Sequence, residues 1–517
     1  MSMDVGTIVR RASVRYRDSI AVEGPDGSRT FGQLGDRVAR LATALRGLGL
    51  ADEDRVLDLQ SNACTYVETD LAISAAGLCR VALNYRLRPQ DWERIAIDSG
   101  ARALIVQARF LTKDLEHLAS LMEHVIVIGD HSAGLDYERL IDRATSRTLP
   151  VIADDRLVSL NYSSGTTGAP KGAQRTHRNR VASLGNMVTD VLGRPAADDV
   201  WCHAGPITHA SGLFVLPHLA FGVRQVILPS WDADAFLDAV LHRGVTGSVL
   251  VPTMVARLLN TPGADAIRER GELRRLCYAG APMPTEHIVE ARERITGHLV
   301  QFYGLVEAIP PVTVLDAGAH ALAVTTRPEL LASCGRPALG VGLRVVDDEG
   351  ADLPAGEIGE IVTGGDHIMR GYFRSANAVA DGSEVKSVVN GWLRTGDLGR
   401  VDEEGFVYLV DRRGDMIITG GYNVFPREVE DAIAGFEGVD EVAVVGLPDS
   451  EWGQRVVAFY TVRPGVRLDE SRLLEHCRGT LPGFKKPREL HEVGGMPLTS
   501  TGKIDKKALK EGVKGNA

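Results

Sequence analysis

The residues best suited to chemistry lie in one stretch that combines glycines, hydroxyl side chains and a lysine. It runs Ser163-Ser164-Gly165-Thr166-Thr167-Gly168-Ala169-Pro170-Lys171-Gly172. Glycines let backbone N–H groups approach phosphate oxygens, hydroxyl groups donate hydrogen bonds, and the lysine supplies positive charge. The spacing is not that of the G-x-x-x-x-G-K-[ST] nucleotide loop, because Gly172 stands where Ser or Thr would hold Mg²⁺. We therefore predict a phosphate-binding loop of another kind, and not a simple surface turn.

The elements that position this loop follow from the apolar pattern. Apolar and polar residues alternate from Leu157 to Tyr162, which predicts a strand that leads into the loop. Thr30 and Gln33 form a helix capping box, and the apolar spacing behind them predicts a helix that ends near Gly47. Short apolar runs predict further buried strands at 55–59, 103–106, 124–128, 225–228 and 248–251. This alternation predicts an α/β protein with layered, largely parallel sheets.

Beyond about residue 335 the pattern changes to short β-like segments separated by glycine turns, which predict a β-rich subdomain. The charged stretch 411–415 then predicts a domain boundary. Helical and strand patterns alternate after it, which predicts a small α+β C-terminal domain. We therefore expect an N-terminal domain over residues 1–411 and a C-terminal domain over residues 412–517.

Composition limits the function classes. The 517 residues include 58 Lys and Arg against 68 Asp and Glu, a net charge of −10, so no broad basic surface is expected for nucleic acid. The six cysteines are scattered without a C-x-x-C pair, which favours reduced thiols over a zinc site or disulfides. No apolar run reaches the ~18 residues that span a bilayer, and the first residues lack a signal-peptide pattern. We expect a cytoplasmic protein without a membrane span.

The loop and five further motifs, in the same order along the chain, resemble the adenylate-forming superfamily of acyl-CoA synthetases, luciferases and adenylation domains of peptide synthetases. The resemblance covers essentially the whole chain. It implies a large domain that binds ATP and an acid, a small mobile C-terminal domain, and the use of ATP, Mg²⁺ and CoA. It also implies nucleotide contacts for Ser163, Ser164, Gly165, Thr166, Thr167, Gly168 and Lys171.

Residues 301–307 resemble the Y-G-x-T-E segment of that family. The resemblance implies that Tyr303 packs on adenine and that Glu307 is catalytic and binds Mg²⁺, a hard cation that prefers oxygen ligands. The chain departs from the family at Val306, where a Thr normally hydrogen-bonds the nucleotide phosphate. Losing such a bond to a charged group costs about 1.5–3 kcal/mol, so either activity is modest or another group compensates. In this segment the resemblance implies nucleotide contacts for Gln301, Phe302, Tyr303, Gly304 and Val306.

Two other motifs concern the nucleotide. An Ala-Gly-Ala-Pro segment resembles the adenine-side loop of the family, which implies adenine contacts for Gly280, Ala281 and Pro282. A Trp-Leu-Arg-Thr-Gly-Asp segment ends at Asp397, which by resemblance accepts hydrogen bonds from the ribose hydroxyls. Arg412 matches a contact to the ribose and phosphate.

Three features of the C-terminal part resemble residues with roles in the family. Gly414 stands at the hinge of a large domain rotation, where the family commonly has Lys or Asp. Gly420, Gly421 and Tyr422 resemble the loop that lines the pantetheine tunnel. Lys503, in a P-x-T-x-x-G-K segment, resembles the catalytic lysine of adenylation. Its ammonium group suits a step that moves negative charge onto pyrophosphate.

The acid pocket lies, by resemblance, beside a segment that contains His209. We expect His209 to act at the catalytic site as part of the pocket wall or its gate, with a structural role as an even alternative. The pocket candidates look apolar and of mixed size, so a medium-chain, alicyclic or aromatic acid fits equally well. They are His209, Gly212, Leu213, Gly280, Val306 and Ile309.

These features together predict an ATP-dependent carboxylic acid ligase that forms an acyl-adenylate and then an acyl-CoA thioester. Three alternatives stay open: a stand-alone enzyme that loads a carrier protein in trans, a divergent member that passes the acid to an amine, and a catalytically weak homologue used for binding or regulation. The expected partners are a small carboxylic acid and CoA or a carrier protein, and not nucleic acid. Oligomeric state is left open, with a homodimer as one option.

Overall fold

The structure of the protein is a computed structural model that describes residues 3–131, 133–145, 148–163, 171–373, 388–449, 451–463, 465–499 and 504–514. The chain forms two compact units. The first unit comprises Met1–Leu343, Thr363–Arg394 and Gly405–Val407. The second unit comprises Arg344–Val362, Thr395–Glu404 and Tyr408–Ala517. The expected domain boundary between residues 411 and 412 stays a prediction.

The first unit is built on two sheets that share a mostly parallel design. Their described strands are β1 (Ile20–Gly24), β2 (Gly27–Thr30), β3 (Arg55–Leu59), β4 (Cys79–Leu83), β5 (Ala103–Gln107), β6 (His124–Ile128), β7 (Leu135–Asp136), β8 (Leu157–Ser163), β9 (Lys171–Thr176), β10 (Val200–His203), β11 (Arg224–Ile227), β12 (Gly247–Leu250), β13 (Arg275–Tyr278), β14 (Leu299–Tyr303), β15 (Thr313–Leu315) and β16 (Arg336–Pro337).

One sheet has seven strands in the order β7-β6-β5-β3-β4-β8-β9, and the other has nine in the order β16-β15-β14-β13-β12-β10-β11-β1-β2. All neighbours in the first sheet are parallel except β8 and β9. In the second sheet, antiparallel pairs occur only at the two ends, where β2, β15 and β16 lie. The predicted α/β class with largely parallel sheets is confirmed, because parallel strands need the helical crossovers that the alternating pattern indicated.

The helices of the first unit alternate with these strands. They are α1 (Val5–Arg15), α2 (Phe31–Gly47), α3 (Cys64–Ala75), α4 (Pro89–Ser99), α5 (Glu116–Ser120), α6 (Tyr137–Arg143), α7 (His177–Asn186), α8 (Val215–Phe221), α9 (Ala233–His242), α10 (Pro252–Leu259), α11 (Ala266–Arg270), α12 (Thr285–Arg294) and α13 (Ala317–Thr325). None of the described helices has both the length and the apolar content needed to cross a membrane.

Helix α2 shows how the sequence sets these elements. The Thr30 hydroxyl accepts a hydrogen bond from the Gln33 N–H at 3.2 Å, and the Gln33 side chain accepts one from the Thr30 N–H at 2.9 Å. This capping box satisfies backbone donors at the start of the helix. One face of α2 is then buried through residues at helical spacing: Leu34, Val38, Leu41 and Leu45.

A five-stranded sheet has the order β17-β18-β20-β19, with β21 paired to β20. Its strands are β17 (Gly342–Val346), β18 (Gly359–Gly364), β19 (Val388–Val389), β20 (Trp392–Val401) and β21 (Val407–Arg412). This sheet is the β-rich region that the glycine-punctuated pattern predicted.

The second unit contains a separate α+β layer. Its strands are β22 (Ile417–Thr419), β23 (Tyr422–Val424), β24 (Val439–Asp449), β25 (Gly453–Val462) and β26 (Glu489–Glu492). Its helices are α14 (Pro426–Ala434), α15 (Glu470–Thr480) and α16 (Lys506–Lys514). Apolar residues of α14 and α15 pack with residues of β24 and β25 in one buried cluster, among them Val429, Ile433, Leu473, Val444 and Val456. The predicted smaller α+β domain is confirmed.

Candidate active site

The predicted adenine contacts lie where two parallel strands of the first unit end. Strands β13 and β14 are neighbours, with Tyr278 opposite Gln301. Gly280, Ala281 and Pro282 follow β13 and are exposed. The carboxyl ends of parallel strands form the edge at which α/β sheets commonly bind ligands. The fold therefore brings both predicted adenine segments to one edge.

Phe302 behaves differently from its neighbours on β14. Its side chain is buried and its ring lies 5.9 Å from that of Phe214 inside the core. Gln301 and Tyr303, on the other side of the strand, are half-buried. Strand alternation explains this difference, and it leaves Phe302 only its backbone for a nucleotide contact.

Glu307, the predicted Mg²⁺ ligand, is nearly buried, with 3% of its surface exposed. The Tyr372 hydroxyl donates a hydrogen bond to its Oε1 at 2.6 Å. The Lys171 ammonium lies 5.7 Å from the centre of the Tyr372 ring. Burial and the nearby Glu307 carboxylate both raise the pKa of Tyr372, so its hydroxyl stays a donor at neutral pH. We call these three residues the Glu307 cluster.

Backbone pairing places Tyr372 in this cluster. Phe373 N–H donates to the Gly172 carbonyl at 2.7 Å, and Gln174 N–H donates to the Gly371 carbonyl at 2.9 Å. Met369 N–H donates to the carbonyl of Glu307 at 2.7 Å. The segment 367–373 therefore lies against both β9 and the Glu307 turn.

Arg175 follows Lys171 by four residues on β9, and alternation along a strand puts both side chains on one face. Its Nε and Nη2 donate to the Val306 carbonyl at 3.2 and 2.7 Å. Burial lowers the pKa of Arg175 to about 10, while the Glu307 carboxylate raises it and Arg180 lowers it further. The guanidinium therefore stays charged at neutral pH next to the predicted metal ligand.

Four of the six predicted acid-pocket residues line one cavity of the first unit: His209, Gly212, Leu213 and Ile309. Gly280 and Val306 are not among the described residues of its wall. Polar and charged side chains form another part of the wall: Asp70, Arg80, Ser159, Asn161, Arg175 and Arg180. The expectation of an apolar pocket therefore describes only part of this cavity.

Buried polar side chains hold the loop that carries His209. The Asn62 amide donates to the carbonyls of Gly205 and Leu228 at 2.9 and 3.0 Å, and its oxygen accepts from the Ile207 N–H at 2.9 Å. His203 lies within hydrogen-bond distance of Ser211, at 2.8 Å. Buried polar groups need such partners, and these hydrogen bonds anchor the loop.

His209 itself is half-buried, and its Nε2 lies 3.1 Å from the Asn84 amide nitrogen. Because an amide nitrogen only donates, Nε2 accepts and the proton of the neutral ring is on Nδ1. Position 212, in the 3₁₀ turn Ala210–Phe214, requires glycine because the backbone of Ile207 lies close by. A Cβ atom at Gly212 would lie 2.1 Å from the Ile207 carbonyl oxygen.

In the second unit, the two predicted ribose contacts lie together. Arg412 Nε is 3.3 Å from Asp397 Oδ1, on strands β21 and β20. The Asp397 side chain is 12% exposed and that of Arg412 is 53% exposed. An ion pair with one exposed partner contributes little to stability and can exchange that partner for a ligand.

The predicted hinge Gly414 lies in a turn directly after β21. Asp415 and Met416 N–H groups donate to the Arg412 carbonyl at 2.9 and 3.2 Å. A Cβ atom at Gly414 would meet no atom within 4 Å. The conformation seen here therefore does not by itself require glycine.

The predicted pantetheine residues form a tight hairpin between β22 and β23. Gly420 and Gly421 both have positive φ, 57° and 81°, as a two-residue hairpin turn favours. Tyr422 is 57% exposed and its ring stacks on Phe484 at 4.6 Å. The hairpin therefore presents an aromatic surface to solvent.

Several predicted site residues lie outside the described residues: Ser164, Gly165, Thr166, Thr167, Gly168 and Lys503. Ser163 is described only by its backbone, which pairs with Lys171 across β8 and β9. The predicted strand before the loop is confirmed.

Sequence reasoning missed Tyr372 and Arg175. Tyr372 lies in no motif, and no local pattern links it to Glu307. Arg175 carried a usable signal, because it shares the strand face of Lys171 two alternations away.

The Glu307 carboxylate suits Mg²⁺, a hard cation that binds oxygen. Among the described residues no group of three or more His, Cys, Asp or Glu side chains lies together as a metal site. This donor set fits a cation held mainly by substrate phosphates and water, with one protein carboxylate.

A comparison with protein-family models decides the family. The model described as AMP-binding enzyme matches residues 9–373, and the model of the AMP-binding enzyme C-terminal domain matches residues 428–503. The chain belongs to the AMP-binding enzyme family. The resemblance to acyl- and aryl-CoA synthetases of the adenylate-forming superfamily is confirmed.

Relatives of this AMP-binding enzyme match along nearly the whole chain. It is 35% identical to a feruloyl-CoA synthase of an Amycolatopsis species over 96% of both chains. It is 30% identical to the fatty acid–[acyl-carrier-protein] ligase ScoC of Streptomyces coeruleorubidus, over 93% of this chain and 91% of ScoC. Among solved structures, ATP-bound MatB from Rhodopseudomonas palustris matches with a TM-score of 0.88 and 28% identity over 99% of both chains.

Proposed function

We propose that this AMP-binding enzyme is an ATP-dependent acyl- or aryl-CoA ligase. The acid attacks the α-phosphate of ATP to give an acyl-adenylate and pyrophosphate. The CoA thiol then attacks the adenylate to give the thioester and AMP. Dividing thioester formation in this way replaces one difficult displacement with two easier ones.

The observation that carries this proposal is the link between the Glu307 cluster and the acid cavity. Arg175 donates to the carbonyl of Val306, next to Glu307, and also lines the cavity with His209 and Ile309. A nucleotide phosphate near Glu307 and an acid in the cavity would therefore be neighbours. Such juxtaposition converts a bimolecular attack into a step within one complex.

In the first half-reaction, Glu307 would hold Mg²⁺ and Tyr372 would fix the orientation of that carboxylate. When bound, Mg²⁺ offsets the charge of the triphosphate. Lys171 and the loop at 163–168 would bind the phosphates, and Lys503 would stabilise the charge that moves to pyrophosphate. His209 would form part of the wall against which the acid lies.

We assign the remaining predicted residues by the same resemblance. Asp397 and Arg412 would bind the ribose, and the exposure of Arg412 allows it to turn toward a ligand. Gly414 would be the hinge of a C-terminal domain over residues 412–517. The hairpin at Gly420 to Tyr422 would border the pantetheine arm.

The acceptor separates two candidate functions. CoA is favoured by the similarity to a feruloyl-CoA synthase, whereas the similarity to ScoC favours a carrier protein in trans. We propose CoA, because the relative named for CoA is the more similar of the two. We further propose that the enzyme works in the cytoplasm, since its six cysteines are free and buried. Gel filtration tests whether it forms a homodimer.

The test is pyrophosphate release with ATP and Mg²⁺ over a panel of aliphatic, alicyclic and aromatic acids. Glu307→Gln keeps the size of the side chain and removes its charge. We expect it to lower the rate on every acid by about 100-fold, the scale of lost electrostatic stabilisation. Arg274→Gln, which removes a surface ion pair with Asp198, is the matched control.

CoA, a phosphopantetheinylated carrier protein and a simple amine are then compared as acceptors. Thioester formation with CoA supports the proposal, and product formed only with carrier protein or amine contradicts the acceptor. No pyrophosphate from any acid would contradict the proposal as a whole and favour a binding role.

A further inference from the structure

Three arginines line the acid cavity: Arg80, Arg175 and Arg180. Two of them are neutralised by buried carboxylates. Arg180 Nη1 and Nη2 donate to the two oxygens of Asp70 at 3.0 and 2.8 Å. Arg80 Nη2 lies 2.7 Å from Asp58, and its guanidinium lies 4.2 Å from the centre of the Tyr66 ring. The carboxylates of Asp58 and Asp70 are therefore already paired with Arg80 and Arg180.

Arg175 makes no ion pair of this kind. In the described part of the chain its side-chain hydrogen bonds go only to the Val306 carbonyl. Glu307 is close enough to raise the pKa of Arg175, but its own Oε1 accepts from Tyr372. A guanidinium has five N–H donors, so Arg175 keeps donors for a ligand.

The strand opposite Arg175 adds polar groups to the same face. Across β8 and β9, Ser159 pairs with Arg175, and Asn161 is the diagonal neighbour. The Ser159 hydroxyl donates to the Asn161 oxygen at 2.7 Å. This bond leaves the Asn161 amide nitrogen with no hydrogen bond to a described residue. Both side chains line the cavity together with Arg175.

We propose that the acid activated by this enzyme carries a second carboxylate, which Arg175 binds inside the cavity with the Asn161 amide as a further donor. The inference rests on the function proposed above and specifies its substrate class, a dicarboxylic acid. Burying a cation costs free energy unless it is paired, so an anion at this point is stabilised relative to a neutral group. A carboxylate also matches the planar fork of a guanidinium.

Matched pairs of acids test this inference by pyrophosphate release. Each pair consists of a dicarboxylic acid and the monocarboxylic acid of the same chain length, such as adipate and hexanoate or suberate and octanoate. The wild type should prefer the better diacid by at least about tenfold in kcat/KM. Arg175→Leu should lower kcat/KM for the diacid by about 10- to 100-fold more than for the monoacid, the scale of a lost charge-assisted hydrogen bond.

Two variants serve as controls. Arg175→Lys keeps the charge without the fork and should retain part of the diacid preference. Arg178→Leu removes an exposed arginine of the same segment that pairs with Asp154 on the surface, and it should change neither acid. If Arg175→Leu does not fold, the inference is tested on the wild type alone, by comparing kcat/KM for the diacid with kcat/KM for its monomethyl ester. The ester should be at least about tenfold poorer than the free diacid.

Three results would overturn the inference. Equal wild-type activity on both members of every pair, or on diacid and ester, would leave the cavity without an anion site. If Arg175→Leu loses kcat/KM equally on both acids and needs more Mg²⁺, then Arg175 supports the metal ligand Glu307 and does not bind the acid. That result would leave the ligase function intact. Absence of pyrophosphate with every acid would instead overturn the ligase function, and the inference with it.

Discussion

Glu307 in the first unit and Tyr422 in the second show two different ways in which a candidate site residue is held. In the first unit, Glu307 is 3% exposed and is held by Tyr372, which itself lies against β9. In the second unit, Tyr422 is 57% exposed and lies directly after a glycine turn. Buried groups with fixed partners keep one geometry, whereas exposed groups near turns exchange partners readily. On the function proposed above, we expect Glu307 to keep one position in both half-reactions and residues 412–517 to deliver different groups to each.

The largest effect should come from Lys503→Ala, which tests whether the second unit takes part in chemistry at all. We expect adenylation to fall by at least about 100-fold, because charge stabilisation in the transition state is lost. Thioester formation from a supplied acyl-adenylate should change little. Lys507→Ala, at an exposed position of α16, is the control and should leave both rates intact. Equal loss in both half-reactions would remove Lys503 from the adenylation step.

Gly414→Pro tests whether delivery depends on a change of backbone conformation at this turn. Proline fixes φ near −65°, and none of the described backbone hydrogen bonds of this turn uses the Gly414 N–H. We expect one half-reaction to survive and the other to slow by orders of magnitude. Single-turnover measurement of adenylate and thioester separates the two.

Gly414→Ala is the matched control for the hinge, because a Cβ atom there would meet no atom within 4 Å. It should retain both half-reactions. If the proline variant does so as well, the pivot lies elsewhere or the enzyme does not alternate between two conformations.

Acid pH should lower the free energy of unfolding of the first unit more than that of the second. Five histidines of the first unit are buried: His177, His203, His218, His320 and His367. Burial lowers their pKa from the ordinary 6.5 to about 4, and to about 3 for His218. Between pH 6.5 and 4 the unfolded chain binds protons that the folded unit does not. Each histidine should therefore cost the folded unit about 1–2 kcal/mol at pH 5.

The second unit contains a half-buried acid that acts in the opposite direction. Burial raises the pKa of Asp411, so its folded form binds a proton more readily as the pH falls. Hydrogen exchange at pH 7 and pH 5, corrected for the intrinsic rate, should show protection lost in the first unit before the second. Earlier loss in the second unit would contradict the contrast in burial.

The smallest effect should come from Val306→Thr, which changes a side chain beside the Glu307 cluster. If the new hydroxyl reaches the nucleotide phosphate, kcat/KM for ATP should rise by up to about tenfold, the lower range for a hydrogen bond to a charged group. Val306→Ala removes bulk without adding a donor and is the control. A fall in kcat/KM for Val306→Thr would mean that valine serves the acid or the acceptor.

Features set by neighbouring residues were predictable from the sequence. The capping box of α2 depends on residues three apart, and strands such as β3 and β6 follow from short apolar runs. The contact of Tyr372 with Glu307 joins residues 65 positions apart, which no local pattern specifies. The charged part of the cavity wall comes from separate strands and helices, so an apolar pocket was the natural expectation from its motif residues alone.

The crowding at Gly212 has a consequence for how the range of acids can be altered. A library that diversifies the cavity would find position 212 closed to every larger side chain, because even a methyl group overlaps the Ile207 carbonyl. Leu213 and Ile309 contribute side chains to the same wall without that restriction. New specificities, whether selected in the laboratory or by descent, should arise at those two positions around an unchanged glycine.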